Sequence, residues 1–176
     1  SPGCARDAQN NEGYAPGGVG VMVECLTDNT NRSASEVRFV FDRNNGNMAT
    51  TGAVSRMFTR QAHFIITGEN ASEDKLMDLV LEAGGNDLEV EDGTAEIWAD
   101  PENFEALVKA FEDAGIKPDE AEVIRRADTT MEISDPGIAR QILRLVDKLE
   151  DLDDVQMVNA NFSIADEIAD QVAEEE

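Results

Sequence analysis

Hydrophobic residues recur along this chain at two spacings, one typical of strands and the other typical of helices. Residues 19–26 form a short apolar run rich in Val, which predicts a strand. Residues 34–43 place apolar side chains on one face of a helix that ends before Gly46. Residues 53–60 predict a second strand. The ordered part of the chain is therefore predicted to open with a strand, a helix and a strand.

The next block, residues 63–128, contains the same elements in a longer series. Its apolar spacing predicts a strand, a helix, two strands, a helix and a strand. Asp92 and Gly93 separate the two middle strands, and this pair is the strongest hairpin signal in the chain. The block thus has the order of a complete βαββαβ unit.

The C-terminal third supplies another strand, helix and strand. They are predicted at residues 129–133, 136–149 and 155–162, before a short acidic helix at 165–176. Together with the opening elements they complete a second βαββαβ series, which the middle block interrupts. We therefore predict the α+β class, with two ferredoxin-like βαββαβ domains, the second inserted between strands 2 and 3 of the first.

The predicted domain boundaries follow from this nesting. Residues 12–62 and 129–176 form a discontinuous α/β domain, and residues 63–128 form the inserted α/β domain. Residues 1–11 fit neither spacing, and we expect a disordered tail or one introduced by cloning. No apolar run approaches the ~18 residues that a membrane helix needs. Because the Cys residues do not suggest a disulfide framework, we expect a reducing, cytoplasmic location.

Charge is spread unevenly over the 176 residues. The net charge is -24, yet residues 1–62 contain six Arg and six Asp or Glu residues. The acidic excess therefore lies after residue 62, where it repels the phosphates of nucleic acids. Any contact with DNA or RNA is predicted to come from the arginines of the first third. High solubility or adaptation to a salty cytoplasm would also explain the acidity.

Two groups of residues are candidates for binding. The candidate nucleic-acid contacts are one aromatic residue and five arginines: Tyr14, Arg32, Arg38, Arg43, Arg56 and Arg60. The aromatic ring could stack on a base and the arginines could bind phosphates, with solvated charges and salt bridges as the alternative. An acidic group at the end of the last long helix could face a basic partner or form a solvated turn: Asp147, Glu150, Asp151, Asp153 and Asp154.

Catalytic and cofactor motifs are not recognisable in this sequence. Gly17 and Gly18 precede a strand and no Lys follows them, whereas a phosphate-binding P-loop follows a strand and ends in Gly-Lys-Ser/Thr. His63 is the single histidine, so neither a zinc site nor a Ser–His–Asp arrangement is indicated. We predict no enzyme activity, no metal and no cofactor.

Four segments of the chain resemble the YebC/PmpR family. They read EGYAPGGVGVMVECLTDNTNR from Glu12, then EVRFVF, NGNMATTGAVSRMF and LEDLDDVQMVNANF, and the resemblance extends to about Ile164. Members of this family are described as probable transcriptional regulators, and a mitochondrial branch is described as a translational activator of cytochrome c oxidase. The resemblance implies three domains, the third inserted in the second. The first is a basic helical domain, which we expect to be missing here, in a fragment or a truncated paralogue.

The resemblance implies a non-enzymatic regulator of gene expression that acts by binding DNA. One alternative is a ribosome-associated translation factor that relieves stalling at proline-rich sequences. The other alternative is a protein–protein interaction module. Binding to DNA, RNA or the ribosome is expected to require the basic N-terminal domain, and we expect no membrane and no small-molecule substrate.

Overall fold

The structure, a computed structural model, describes residues 5–174. Its backbone contacts divide the chain into two compact units. Unit 1 combines the residues up to Phe58 with those from Ala127 onward, and unit 2 is Thr59–Arg126. No helix within the described range is long and apolar enough to cross a membrane.

Strands and helices follow one another in three groups. The first group is β1 (Asp7–Ala15), β2 (Val19–Thr27), α1 (Thr30–Arg43) and β3 (Asn47–Met48). The second group is β4 (Phe58–Thr67), α2 (Glu73–Glu82), β5 (Gly85–Glu91), β6 (Thr94–Ala99), α3 (Phe104–Asp113) and β7 (Glu120–Ala127). The third group is β8 (Met131–Ile133), α4 (Pro136–Glu150), β9 (Val155–Ala160), β10 (Phe162–Ile164) and α5 (Asp166–Glu174).

The main sheet of unit 1 is antiparallel and has the strand order β3-β1-β2-β9. Strands β1 and β2 pair over all nine residues of each strand. The tight turn between them contains Gly17 and Gly18, with φ of 82° and 81°. These left-handed values favour glycine, because a side chain would meet its own backbone there.

Helices α1 and α4 cover one face of this sheet. The strand β2 points alternate residues into that layer: Val19, Val21, Val23 and Cys25. One apolar stripe of each helix packs against them, formed by Val37, Val40, Phe41, Ala139, Ile142, Leu145 and Leu149. The core of unit 1 therefore lies between the sheet and the two helices.

Strand β1 corrects the prediction of a tail over residues 1–11. Residues 7–11 belong to this strand and pair with β2, whereas residues 1–4 lie outside the described part of the chain. The first half of the strand is polar, so it lacks the apolar alternation that marks a strand in a sequence. Its backbone groups still pair across the hairpin, because ladder hydrogen bonds do not depend on side-chain polarity.

The place of β1 also changes which strand completes the sheet. The sequence predicts residues 129–133 as the third strand, but β8 pairs in parallel with β10 in a separate two-stranded sheet. Strand β1 instead occupies the position between β3 and β2. A nine-residue strand next to β2 pairs locally, whereas β8 has three residues and is distant in sequence.

The strand predicted at residues 53–60 is also placed differently. A short 3-10 segment covers Ser55–Met57, and strand β4 begins only at Phe58 and continues into unit 2. The backbone N–H groups of Val54 and Ser55 donate to the carboxylate of Glu12. They are therefore not available for a strand ladder at this position.

The sheet of unit 2 has the strand order β5-β6-β4-β7, and β6 is antiparallel to both of its neighbours. Helices α2 and α3 pack on one face of it, where Phe64 is fully buried. Asp92 and Gly93 form the two-residue turn between β5 and β6 with φ of 51° and 77°, which confirms the predicted hairpin. This is the arrangement of a ferredoxin-like βαββαβ unit.

Both units thus combine a four-stranded sheet with two helices on one face. In unit 1 the position of the third strand in the ferredoxin-like plan is filled by β1, which precedes β2 in the chain. In unit 2 the four strands follow the usual chain order. The predicted α+β class with two ferredoxin-like domains is confirmed.

Candidate nucleic-acid interface

Residues 49–58, here called the strap, lie across the face of the unit 1 sheet opposite α1 and α4. Val54 and Phe58 of the strap are buried against Met22 of β2, and Tyr14 packs at the edge of the same apolar cluster. Met22 points away from the helices because side chains alternate along a strand. The sheet therefore has one face covered by helices and one covered by the strap.

A buried carboxylate on β1 holds the strap in place. Glu12 is 6% exposed, and its Oε1 accepts hydrogen bonds from the backbone N–H groups of Val54 at 2.9 Å and Ser55 at 2.7 Å. Its Oε2 accepts one from the N–H of Gly52 at 2.8 Å. Burial by itself raises the pKa of Glu12, but the three hydrogen bonds favour the charged form and leave the pKa below its ordinary value. The carboxylate is therefore ionised at neutral pH.

Asn161, which follows β9, holds the other side of the strap. Its Oδ1 accepts a hydrogen bond from the N–H of Gly20 at 2.8 Å, and its Nδ2 lies 3.6 Å from the Sδ of Met57. A Cβ atom at Gly20 would lie 3.0 Å from that sulfur and 3.1 Å from Cγ1 of Val54. The strap therefore packs closely on β2 because residue 20 has no side chain.

Two of the six candidate nucleic-acid contacts lie on the strap-covered face. Tyr14 is half-buried in the strap's apolar cluster. Arg56 is exposed, and its Nε donates a hydrogen bond to the carbonyl oxygen of Gly52 at 3.0 Å. Within residues 5–174 it has no ion-pair partner. The strap thus carries an oriented guanidinium group whose Nη atoms can bind an anion.

Of the other four candidate arginines, three lie on the opposite face of the unit 1 sheet and one belongs to unit 2. Three of them belong to α1, on the helix-covered face of the sheet: Arg32, Arg38 and Arg43. Arg60 belongs to β4 in unit 2. The Nη2 atom of Arg32 is 2.8 Å from Asp28 and 2.9 Å from Asp154, so this charge is already paired within unit 1.

Asp154 is the buried centre of a polar network rather than a surface acid. Its Oδ2 accepts hydrogen bonds from Oγ of Ser33 at 2.6 Å, Nη2 of Arg32 at 2.9 Å and Oγ1 of Thr27 at 3.1 Å. The bond from Ser33, followed by that from Arg32, lowers the pKa of Asp154 to about 2. Asp154 therefore points inward instead of toward a partner, whereas four acids of the group are exposed: Asp147, Glu150, Asp151 and Asp153.

We expect Asp154→Asn to destabilise the protein at neutral pH, with a loss that shrinks as the pH falls from about 4 to about 2. The pKa of this carboxyl is 3.8 without a partner and about 2 in the fold, so the unfolded chain takes up the proton first. The stabilisation is therefore complete above the unfolded pKa and is lost toward the folded pKa.

Denaturant unfolding of wild type and Asp154→Asn at matched pH values measures this difference. The remaining acids are common to both proteins, so subtraction cancels their general effect. Asp153→Asn is the matched control, because it makes the same charge change at an exposed neighbour. A loss at Asp154 that stays constant over this pH range would contradict the role of its charge.

His63 has a structural environment in unit 2. It is 6% exposed, its Nε2 lies 2.7 Å from Oε1 of Glu96, and its ring stacks on Trp98 with 4.0 Å between the ring centroids. In the described part of the chain, no group of three His, Cys, Asp or Glu residues could hold a metal ion. The contacts of His63 are those of a residue packed on a sheet.

Some of these residues escape sequence reasoning. Glu12 and Asn161 act on backbone groups that are distant in sequence, so no spacing in the chain marks them as anchors.

Three cations line a groove between α4 and Val172 of α5, namely Arg140, Arg144 and Lys148. Their interval of four residues along a helix is the signal that finds them.

Comparisons with known proteins give one consistent result. A model of the family described as TACO1/YebC second and third domain matches residues 8–162. A protein from Syntrophobacter fumaroxidans named "Probable transcriptional regulatory protein" is 42% identical over 171 residues, which are 97% of this chain and 69% of the relative. A protein of the same name from Legionella pneumophila is 41% identical over 97% of this chain and 68% of the relative. The crystal structure of conserved hypothetical protein Aq1575 from Aquifex aeolicus superimposes with a TM-score of 0.86 at 36% identity, covering 94% of this chain and 68% of that one.

Proposed function

The chain belongs to the TACO1/YebC family, and on this premise we propose that it is a non-enzymatic regulator of gene expression that acts by binding DNA. The relatives are named "Probable transcriptional regulatory protein", and this name supports a role in gene expression. The observation that supports a DNA contact is the exposed Arg56 on the strap, a loop that hydrogen bonds to Glu12 hold in place.

Arg56 has the chemistry of a phosphate ligand. A guanidinium group donates several hydrogen bonds in one plane and matches the oxygens of a phosphate. The bond from its Nε to Gly52 orients the group before binding, so less side-chain entropy is lost when DNA binds. Thr50 and Thr51 are exposed on the same strap and add hydroxyl donors for phosphate oxygens.

The charge distribution supports a contact at this end of the chain. Residues 1–62 are neutral overall, whereas the whole chain has a net charge of -24. Carboxylates elsewhere repel DNA, so we expect modest affinity that falls steeply as the salt concentration rises. Contacts to phosphates position a protein on DNA without reading the base sequence.

We expect Arg56→Ala to weaken binding of the full chain to a labelled DNA duplex by about threefold to tenfold and to reduce the salt slope by about one. Fluorescence anisotropy over a series of KCl concentrations measures both quantities. The matched control is Arg38→Ala, which removes an exposed arginine from the helix-covered face and is expected to leave the affinity unchanged. Melting curves of both variants confirm that the fold is intact.

Three other outcomes would overturn the proposal in different ways. Equal losses in Arg56→Ala and Arg38→Ala would remove the contact from the strap. The chain could instead sediment with ribosomes and show no affinity for DNA. If Arg56→Ala weakened that sedimentation, the translational alternative would replace DNA binding. Absence of binding to both DNA and ribosomes would overturn a contact made by the strap alone and would favour the expectation that binding requires a basic N-terminal domain.

A further inference from the structure

An open groove on the helix-covered face of unit 1, here called the Phe39 groove, leaves an aromatic side chain in solvent. Phe39 is 61% exposed, the largest fraction among the exposed large hydrophobic side chains of residues 5–174. Val40 and Leu152 lie beside it, and the groove has a volume of about 410 Å³. Full burial of a Phe side chain contributes about 1.5–3 kcal/mol, so an apolar side chain of a partner that covers the exposed part of this ring gains part of that energy.

Three carboxylates line this groove. They are Glu36 on α1 and Asp151 and Asp153 in the turn after α4. In the part of the chain that the structure describes, no cation pairs with any of the three. Asp154 of the same turn is different, because Arg32 neutralises it. Asp151 also lies at the C-terminus of α4, where the helix dipole disfavours a negative charge.

We propose that the Phe39 groove binds a basic segment of a partner protein. An apolar side chain of the segment packs on Phe39, and Lys or Arg side chains next to it pair with the three carboxylates. The Phe39 ring already accepts a cation on its face, since the guanidinium carbon of Arg43 lies 5.3 Å from the ring centroid. The site therefore combines apolar surface, negative charge and an aromatic face that tolerates cations.

The charges of the chain argue against two other occupants. The phosphates of DNA or RNA would meet three unpaired carboxylates at the groove. A second copy of this chain would bring a net charge of -24 toward the same acidic rim. The inference goes beyond DNA binding and does not depend on it, because the strap and the Phe39 groove lie on opposite faces of the unit 1 sheet.

The test uses the full chain and a short fluorescent peptide of lysines around one central leucine. A peptide in which glycine replaces that leucine has the same charge and serves as the control ligand. We expect the leucine peptide to bind about tenfold more tightly, and we expect Phe39→Ala to abolish this difference. Leu81→Ala is the matched control variant, because Leu81 is 60% exposed on α2 in unit 2 and is expected to have no effect.

A second variant tests the charges of the rim. Asp151→Asn combined with Asp153→Asn is expected to weaken both peptides and to reduce the salt dependence of binding. Glu167→Gln combined with Asp170→Asn makes the same charge change on α5 and is expected to have a smaller effect. Equal affinity for the two peptides, or a leucine preference that survives Phe39→Ala, would overturn the proposal. Binding of a labelled DNA duplex to the full chain that Phe39→Ala weakens, measured without the peptide, would assign the groove to nucleic acid instead.

Discussion

Replacement of Glu12 by Ala is expected to lower the free energy of unfolding of unit 1 by about 4 kcal/mol. The wild-type carboxylate accepts hydrogen bonds from three backbone N–H groups, those of Gly52, Val54 and Ser55. An Ala side chain leaves these donors without an acceptor at a position where Glu12 is 6% exposed. Bonds to a charged acceptor are worth about 1.5–3 kcal/mol each, and relaxation of the strap recovers part of that loss.

Amide hydrogen exchange measures this effect at the strap itself. In wild type the amides of Val54 and Ser55 are expected to be protected, and in Glu12→Ala they are expected to exchange at rates close to those of an unfolded chain. Trp98 fluorescence reports on unit 2 separately, since it is the single Trp of the chain. Protection at these amides that is unchanged in the variant would contradict the anchoring role of Glu12.

Glu12→Gln is the matched variant, because it keeps the length of the side chain and one acceptor oxygen. We expect it to lose about half as much stability as Glu12→Ala. Since hydrogen bonding lowers the pKa of Glu12 below its ordinary value of 4.5, the unfolded chain takes up a proton before the folded chain does. The difference between wild type and Glu12→Gln is therefore expected to be full above this value and to shrink as the pH falls below it.

Local patterns were sufficient to predict most of unit 2. Its helices have apolar stripes that contain Leu76 and Leu107, and its hairpin has the Asp92 and Gly93 pair, so each signal lies within the element that it predicts. A hairpin also brings its own strands together without help from distant residues. In this unit the elements follow one another along the chain as predicted, because all four strands of its sheet lie within one continuous segment.

Unit 1 shows where local patterns are insufficient. Strand β1 is polar in its first half, and only the partner β2 shows that it is a strand. Once β1 fills the sheet, β8 has no place beside β3 and pairs with β10. A sequence pattern shows which side chains of a segment face the same way in a strand. It does not show which of two candidate strands pairs at a given position in a sheet.

The candidate sites depend on tertiary placement in the same way. Asp151, Asp153 and Asp154 are neighbours in the sequence, yet only Asp154 is buried. It differs from the other two because it alone accepts hydrogen bonds from the side chains of Thr27, Ser33 and Arg32. The arginines of α1 and Arg56 are likewise close in sequence, but they lie on opposite faces of one sheet. Sequence reasoning identifies the residue types of a site more readily than their grouping.

Gly13→Ala is expected to destabilise unit 1 by about 3 kcal/mol. A Cβ atom at this position would lie 2.6 Å from two ring atoms of Phe41 and 2.9 Å from the carbonyl oxygen of Asn47. Phe41 is fully buried in the core of unit 1, so the ring has no room to move away. Gly46 also lies against this ring, with a Cβ position 2.9 Å from its Cδ1 atom. The two glycines therefore leave the space that one aromatic side chain fills.

A double-mutant cycle with Phe41→Leu separates this clash from a general effect of alanine in a strand. Phe41→Leu alone is expected to cost about 1–2 kcal/mol, because a smaller side chain leaves a cavity. In the double variant the ring atoms are gone, so the loss is expected to be smaller than the sum of the single losses by at least about 1 kcal/mol. Denaturant unfolding followed by circular dichroism measures all four proteins. Additive losses would show that Gly13 is required for a reason other than the close approach of Phe41, such as the carbonyl of Asn47.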